Sequence, residues 1–317
     1  MSIKALLIGC GNIGAQYDLK KPARVWSHAK AYSLINDLEL TVTDADGQKA
    51  REVAAIYHSK MITKPDEEDY KNFDLISITT PTSTHAEYLK KILERFSGVV
   101  ICEKPVVGLL GEIDDLSSGY ERSASKVLVN YIRRYQPGYK KAKEKLEKRP
   151  DRFSFKEIII KYRRGILNNA SHAVDLLEYL YDQPFAFKGF CIHKIEFDSF
   201  EDDPTITGGC FYLDQPVSFI GLCHIDYPVF EIEIFYSDSK IVICHNGNEI
   251  RYYAVGNSNE LTENLAERQK NILDSYMEPV INEALDLLYK RKTDDNFMQT
   301  LEMNQRILQI IEPVKKK

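Results

Sequence analysis

The chain has 317 residues, a length that suits about two domains and buries a core without disulfide support. Lysine and arginine number 42 against 47 aspartates and glutamates. The resulting formal net charge of −5 disfavours a nucleic-acid backbone or an anionic membrane surface as partner. Hydrophobic residues at 44% and charged residues at 28% fit a soluble globular protein, and no apolar run is long enough to cross a bilayer. The apolar segment Ala5–Cys10 reads as a first strand, not a signal peptide. Six scattered cysteines (Cys10, Cys102, Cys191, Cys210, Cys223 and Cys244) contain no CxxC pair and read as mostly buried free thiols in a reducing compartment, which implies a cytoplasmic protein.

The first part of the chain alternates apolar runs with helix-compatible stretches. Strands are predicted at Ile3–Ile8, Leu38–Thr43, Phe73–Thr79, Gly98–Cys102 and Lys126–Tyr131. Helices are predicted around His28–Ile35, Gln48–Tyr57, Ser83–Phe96 and Gly111–Ser123. Near-continuous apolar strands separated by helices imply an α/β, doubly wound parallel sheet covered on both faces, assigned to residues 1–130. From 131 to 317 the character changes. A Lys-rich amphipathic helix, Pro137–Arg149, is followed by strand-like runs at Phe153–Arg163, Phe187–Phe197, Ile206–Leu213, Val217–Ile225, Phe230–Tyr236, Lys240–His245 and Glu249–Ala254. One helix, about Ser171–Tyr181, interrupts them. Short connections at Asp214–Pro216 and Ser237–Ser239 imply antiparallel hairpins. The tail is predicted helical over Thr262–Tyr289 and Phe297–Ile311, with Lys315–Lys317 frayed. The second domain is therefore expected to be α+β, with a mostly antiparallel open sheet.

Gly9-Cys10-Gly11-Asn12-Ile13-Gly14 fits GxGxxG directly after a strand. Glycines there let backbone approach a pyrophosphate whose charge rests on helix N-terminal amides. The acid that binds the ribose should end the second strand about 20 residues on. Asp44 ends that strand at a longer spacing, and the polar stretch Tyr17–Arg24 reads as an insertion that accounts for the difference. A carboxylate there accepts from ribose hydroxyls and repels a 2′-phosphate, so NAD is favoured over NADP; a turn-capping aspartate is the plainer reading of the same residue.

Thr79-Thr80-Pro81 closes the third strand and Glu103-Lys104-Pro105 the fourth, where such sheets bind ligands. A third segment, Asn168 to Asp175, opens the internal helix of the second domain and contains His172. This series, with His85 after Pro81, resembles the glucose–fructose oxidoreductase/inositol dehydrogenase/rhizopine catabolism (Gfo/Idh/MocA) family in order along the whole chain. Arg134-Tyr135-Gln136-Pro137 is similar to that family's Arg-aromatic-x-Pro segment. The resemblance implies an N-terminal Rossmann domain, a C-terminal domain whose open sheet builds a homodimer or homotetramer, and a cis peptide before Pro105.

It further implies that Lys104 and His172 are catalytic, and that Gly9, Gly11, Asn12, Ile13, Gly14, Asp44, Thr79, Thr80, Pro81, His85, Glu103 and Lys104 serve the cofactor. Histidine accepts a hydroxyl proton near neutral pH, and a lysine beside a nicotinamide can polarise the reacting oxygen or act as base. Substrate contacts are expected from Arg134, Arg163, Asn168 and Asp175. Asp175 alternatively steadies His172 or is an exposed helix carboxylate. Asn168 stands where inositol-oxidising members carry Asp, which removes a proton-sharing group. Arg163, followed by Arg164, suits a carboxylate or phosphate. No histidine spacing marks a metal site.

The expected activity is hydride transfer between a nicotinamide cofactor and a secondary alcohol of a sugar, nucleotide-linked sugar or cyclitol. The alternatives are an NAD-binding regulator without turnover, as the resemblance also reaches galactose-pathway repressors, and an enzyme that retains NAD through an internal redox cycle.

Overall fold

The computed structural model describes residues 2–19, 21, 23–63, 65, 67–256 and 259–315. Lys316 and Lys317 of the expected frayed tail, and Lys20 and Pro22 of the expected insertion, lie outside the described residues. The chain divides into two compact units, Met1–Ile132 with Asp274–Glu302, and Arg133–Leu273 with Met303–Lys317. Residues 131–317 thus do not stay together as one piece, because 274–302 packs with the first unit.

The first unit begins with β1 (Ile3–Ile8), α1 (His28–Tyr32), β2 (Leu38–Thr43), α2 (Gly47–Tyr57), β3 (Lys60–Met61), β4 (Leu75–Ile78), α3 (His85–Arg95), β5 (Val99–Cys102), α4 (Ile113–Arg122) and β6 (Lys126–Val129). All strand pairs are parallel, in the order β3-β2-β1-β4-β5-β6. β4 and β5 are buried throughout, and apolar except for Ser77, because helices cover both faces of such a sheet. Chain order reverses between β1 and β4, and a crevice at the carboxyl end of the strands forms where such a reversal occurs. The glycine loop does not open a long helix. A single wide turn, Asn12–Gln16, follows it, and regular helix resumes only at α1. The intervening segment is anchored by Asp18, whose carboxylate accepts from Trp26 N, Ser27 N and Ser27 Oγ at 2.7–2.8 Å.

The second unit holds α5 (Pro137–Glu147), β7 (Glu157–Tyr162), α6 (Ser171–Tyr181), β8 (Lys188–Glu196), β9 (Thr205–Tyr212), β10 (Gln215–Gly221), β11 (Phe230–Phe235), β12 (Ser239–Cys244), β13 (Glu249–Val255) and β14 (Leu261–Glu263). They form an eight-stranded sheet, β14-β13-β12-β11-β7-β10-β9-β8. It is antiparallel except where β10 lies parallel to β7. Alternating burial along β7 and β11 marks one face packed against helices and one half-open.

The tail differs from expectation. Residues 264–276 run as turns beside β13, with a bridge between Ile250 and Gln269, and α7 starts only at Met277 and ends at Leu288. Pro279 is the reason. It fits the first turn of a helix, where its missing N–H has no partner to lose, but not the interior that a helix from 262 would require. The last helix, α8, spans Phe297–Ile311 as expected. Four of the cysteines are buried free thiols, in line with the expectation that most would be, while Cys191 is exposed and Cys223 half-buried. Among the described residues, no helix is long and apolar enough to cross a membrane.

Candidate active site

The strand register builds a row of candidate residues in the first unit. Ile8 is level with Thr43 and Ile78, Ile78 with Cys102, and Cys102 with Val129. One residue further on, Gly9, Asp44, Thr79, Glu103 and Asn130 therefore form a row along the carboxyl edge of the sheet. The pairing continues into it, with Gly9 N donating to Thr43 O, Thr79 N to Ile8 O and Glu103 N to Ile78 O.

The three glycines of the loop are required for three different reasons. Gly9 has φ +103, and a Cβ there would sit 2.9 Å from the Thr79 backbone. A Cβ on Gly14 would overlap Gly9 O. At Gly11, by contrast, a Cβ would meet no protein atom within 4 Å. The loop is thus packed on its inner side and open at its second glycine, the arrangement that admits a pyrophosphate against backbone. Asp44 Oδ2 accepts from Cys10 N at 2.6 Å, and Oδ1 from Asp46 N at 2.7 Å. It caps its own turn and also sets a carboxylate against the loop. Burial, reinforced by the charge of Asp44, pushes the Cys10 thiol up to about 12, which makes it an inert packing group.

Thr79 and Glu103 support the row from below. Thr79 Oγ1 donates to Gly9 O at 2.6 Å and so fixes the glycine turn. Glu103 is buried, accepting from Asn130 Nδ2 at 2.5 Å and lying 3.0 Å from His28 Nε2. His28 Nδ1 is 2.9 Å from Ser77 Oγ, which is 2.6 Å from Tyr32 Oη. Burial pushes the Glu103 carboxyl up. The hydrogen bond and charge of His28, the Asn130 amide and the charge of Lys104 outweigh that, leaving it below the usual range. This chain from Tyr32 to Asn130 went unread in the sequence. Its one sequence signal is that His28 opens an apolar helix.

His85 is also buried, with Nδ1 2.8 Å from Pro105 O and Nε2 2.8 Å from Thr80 O. It ties the turn after β4 to the turn after β5. Pro81 is exposed and Thr80 half-buried beside it. The peptide between Lys104 and Pro105 is cis, as the resemblance implied, and Lys104 is half-buried.

The His172 segment lies in the second unit. Gly165, at φ +80, N-terminates a wide turn over Ile166–Ala170 that runs straight into α6, on which His172 is the second residue. Asp203 caps this turn, accepting from Leu167 N at 2.8 Å and Asn168 N at 2.7 Å. A Cβ on Gly165 would lie 2.0 Å from Asp203 Oδ2, so the cap and the glycine require each other. Asn168 Nδ2 donates to Arg164 O at 3.2 Å, a bond for which an aspartate has no donor. His172 is half-buried and meets Phe230 edge-on, with centroids 6.4 Å apart. On the same ring the Arg133 guanidinium stacks at 3.6 Å.

Asp175 is not an exposed helix carboxylate. It is 1% exposed and paired with Arg134, Oδ2 taking Nε at 3.1 Å and Oδ1 taking Nη2 at 2.7 Å. Burial pushes its carboxyl up to about 7 against the pull of that guanidinium. The two residues expected to contact substrate therefore spend these groups on each other.

A cleft of about 500 Å³ in the first unit is lined by Leu38 and Lys60 at the starts of β2 and β3, the opposite end of the strands from the row above. In the second unit Cys244, His245 and Glu249 bring donor atoms within 4.8 Å of one another. Arg251 and Arg268 already bind Glu249 Oε1 at 2.5–2.7 Å, so a cation would face two guanidinium groups, and no metal is assigned there.

The comparisons with known proteins agree with this geometry. Residues 3–131 match the family described as GFO_IDH_MocA, "Oxidoreductase family, NAD-binding Rossmann fold". Inositol 2-dehydrogenase of Rhizobium meliloti is 28% identical over 140 residues, 44% of this chain and 39% of that protein, so the chain matches about two fifths of that relative's length. UDP-N-acetylglucosamine 3-dehydrogenase GnnA from Acidithiobacillus ferrooxidans shares the fold at TM-score 0.72 and 18% identity, over 99% of this chain and 97% of that one. A super-repressor mutant of Gal80p from Saccharomyces cerevisiae does so at TM-score 0.74 and 12% identity, over 99% and 95%. The glycine loop, the row at the carboxyl edge and the Glu103-Lys104-Pro105 turn all lie within residues 3–131, the segment that matches this NAD-binding Rossmann oxidoreductase family.

Proposed function

We propose that the chain is a dehydrogenase that oxidises a secondary alcohol of a sugar or polyol, with NAD preferred over NADP. The observation that carries this reading is the glycine loop, open only at Gly11 and backed by the Asp44 carboxylate, in register with the turn that bears Lys104. The loop backbone would hold a pyrophosphate, and Asp44 would bind an unphosphorylated ribose while repelling a 2′-phosphate. When bound, the nicotinamide supplies a two-electron acceptor for the hydride.

The chain's own work is to bind the alcohol, hold its oxygen and take its proton. His172 serves as the base, receiving the hydroxyl proton as the C–H bond gives up its hydride and the carbinol becomes a carbonyl. Lys104 donates to the same oxygen and stabilises the charge that develops on it. The two residues belong to different units, so kinetics is the test of whether they serve one reaction.

Purified protein given NAD and a panel of polyols and sugars should produce reduced nicotinamide with at least one of them. Lys104→Ala should lower kcat/KM by about a hundredfold or more, and NADP should be the poorer cofactor. Undiminished turnover in that variant would remove Lys104 from the mechanism. The second reading, a cofactor-binding regulator, draws on the fold shared with Gal80p and on Asn168 standing in place of a proton-sharing acid. It requires that NAD bind without being reduced by any member of the panel.

A further inference from the structure

Arg163 leaves the sheet directly after β7, where Tyr162 pairs with Phe230 on one side and Gly221 on the other. Its carbonyl accepts from Asn169 Nδ2 at 2.7 Å, which ties it to the turn that opens α6 three residues before His172. Its guanidinium makes one hydrogen bond to protein, from Nη1 to Tyr227 O at 3.0 Å, while Nε is buried with no hydrogen-bond partner. Arg164 follows in the left-handed region at φ +65, exposed, its guanidinium 5.6 Å from the Phe200 ring centre.

Among the described residues, neither arginine has a carboxylate partner. Several other guanidinium groups of this unit are neutralised, Arg134 by Asp175, Arg149 by Asp151 and Asp238, Arg306 by Glu178, and Arg251 and Arg268 by Glu249, while Arg133 stacks on Phe230. Two acids of this region are engaged elsewhere: Asp203 accepts from Leu167 N and Asn168 N, and Asp198 accepts from Thr205 Oγ1. A buried donor without an acceptor costs stability until something meets it. A guanidinium fork matches the two oxygens of a carboxylate or phosphate.

We infer that the substrate carries an anionic group, a carboxylate or a phosphate, and that Arg163 receives it through its unpaired edge. The inference deepens the dehydrogenase reading by naming a substrate class for the same site, and it rests on that reading. Arg163 is then a specificity-determining residue. Arg164, one position on and exposed, adds long-range attraction that salt should screen.

The experiment is isothermal titration calorimetry on the NAD-saturated full chain with D-glucose, D-glucuronate and D-glucose 6-phosphate, at low and at high salt. At least one charged sugar should bind about ten- to a hundredfold tighter than glucose, with the advantage shrinking at high salt. Which of the two it is separates a carboxylate from a phosphate. In Arg163→Gln the ratio of charged to neutral affinity should collapse toward one. Arg163→Lys, which keeps the charge and loses the fork, should keep part of it and serves if the glutamine variant does not fold. The proposal is overturned if neither anion outbinds glucose, including the case where nothing binds, or if the advantage survives in Arg163→Gln. Because the readout is binding, failure of cofactor reduction sinks the dehydrogenase reading alone.

Discussion

Gly165 and Asp203 are 38 positions apart in sequence and act as one device. Asp203 answers two amides of the turn that carries the chain into α6, and the absent side chain at Gly165 is what lets the carboxylate come close. Gly165→Ala adds a Cβ at a positive φ and against Asp203, and should cost on the order of 2–3 kcal/mol of stability. Asp203→Ala leaves those two amides unanswered and should cost about as much. The costs should not add. With Asp203 gone the alanine at 165 meets less resistance, so the double variant should be more stable than the summed singles require. Urea unfolding of the four proteins reads the cycle; strict additivity would show that the two residues do not act through each other. The same pair shows what a sequence conceals at this scale. The glycines of the first loop are legible because their reasons lie within a few residues and one strand. Asp203 carries no such mark, since its reason is a turn 35 positions away.

At the scale of elements, α1, β4 and β5 are joined through the buried series Tyr32, Ser77, His28, Glu103 and Asn130. The Glu103 carboxyl lies below its ordinary 4.5 in the folded protein, so it binds a proton less readily than in the unfolded chain. Its contribution to stability is therefore present above about pH 4.5 and lost as pH falls below that value through the native one. Glu103→Gln abolishes this dependence. The variant should be about 1–3 kcal/mol less stable at neutral pH, and the gap to the parent should narrow on acidification from pH 5 to pH 3. Thermal unfolding across that range decides it, and a gap that widens would mean that Glu103 is held neutral. Elements themselves were legible wherever hydrophobic period and strand length agreed, as in β1, β5 and α8. Residues 262–276 do not extend α7, because Pro279 fits a first turn and not a helix interior. The parallel pairing of β7 with β10 was not readable, because neighbours in a sheet are chosen by the whole topology.

For the molecule as a whole, the consequential feature is that the chain leaves the first unit after Ile132 and returns to it at Asp274. The returning segment is not an ornament. α7 buries Met277, Val280, Ile281, Ala284 and Leu287, and Met277 N donates to Val25 O. Further along, Asn296 exchanges hydrogen bonds with Val129, Nδ2 to the carbonyl at 3.0 Å and Oδ1 from the amide at 2.8 Å, which closes the outer edge of β6. Four large apolar side chains at roughly 1.5–3 kcal/mol each amount to the entire net stability of an ordinary domain. A fragment ending at residue 132, two residues past the boundary at 130 that the change of sequence character suggests, should accordingly fail to unfold cooperatively and fail to bind NAD. Joining residues 274–302 to it through a flexible linker should restore both. Circular dichroism melts and NAD titration of the two fragments make the comparison. A short fragment that melts cooperatively and binds NAD as well as the joined one would mean that the glycine loop and the parallel sheet are self-sufficient, and that the return of the chain serves something other than the stability of the cofactor domain.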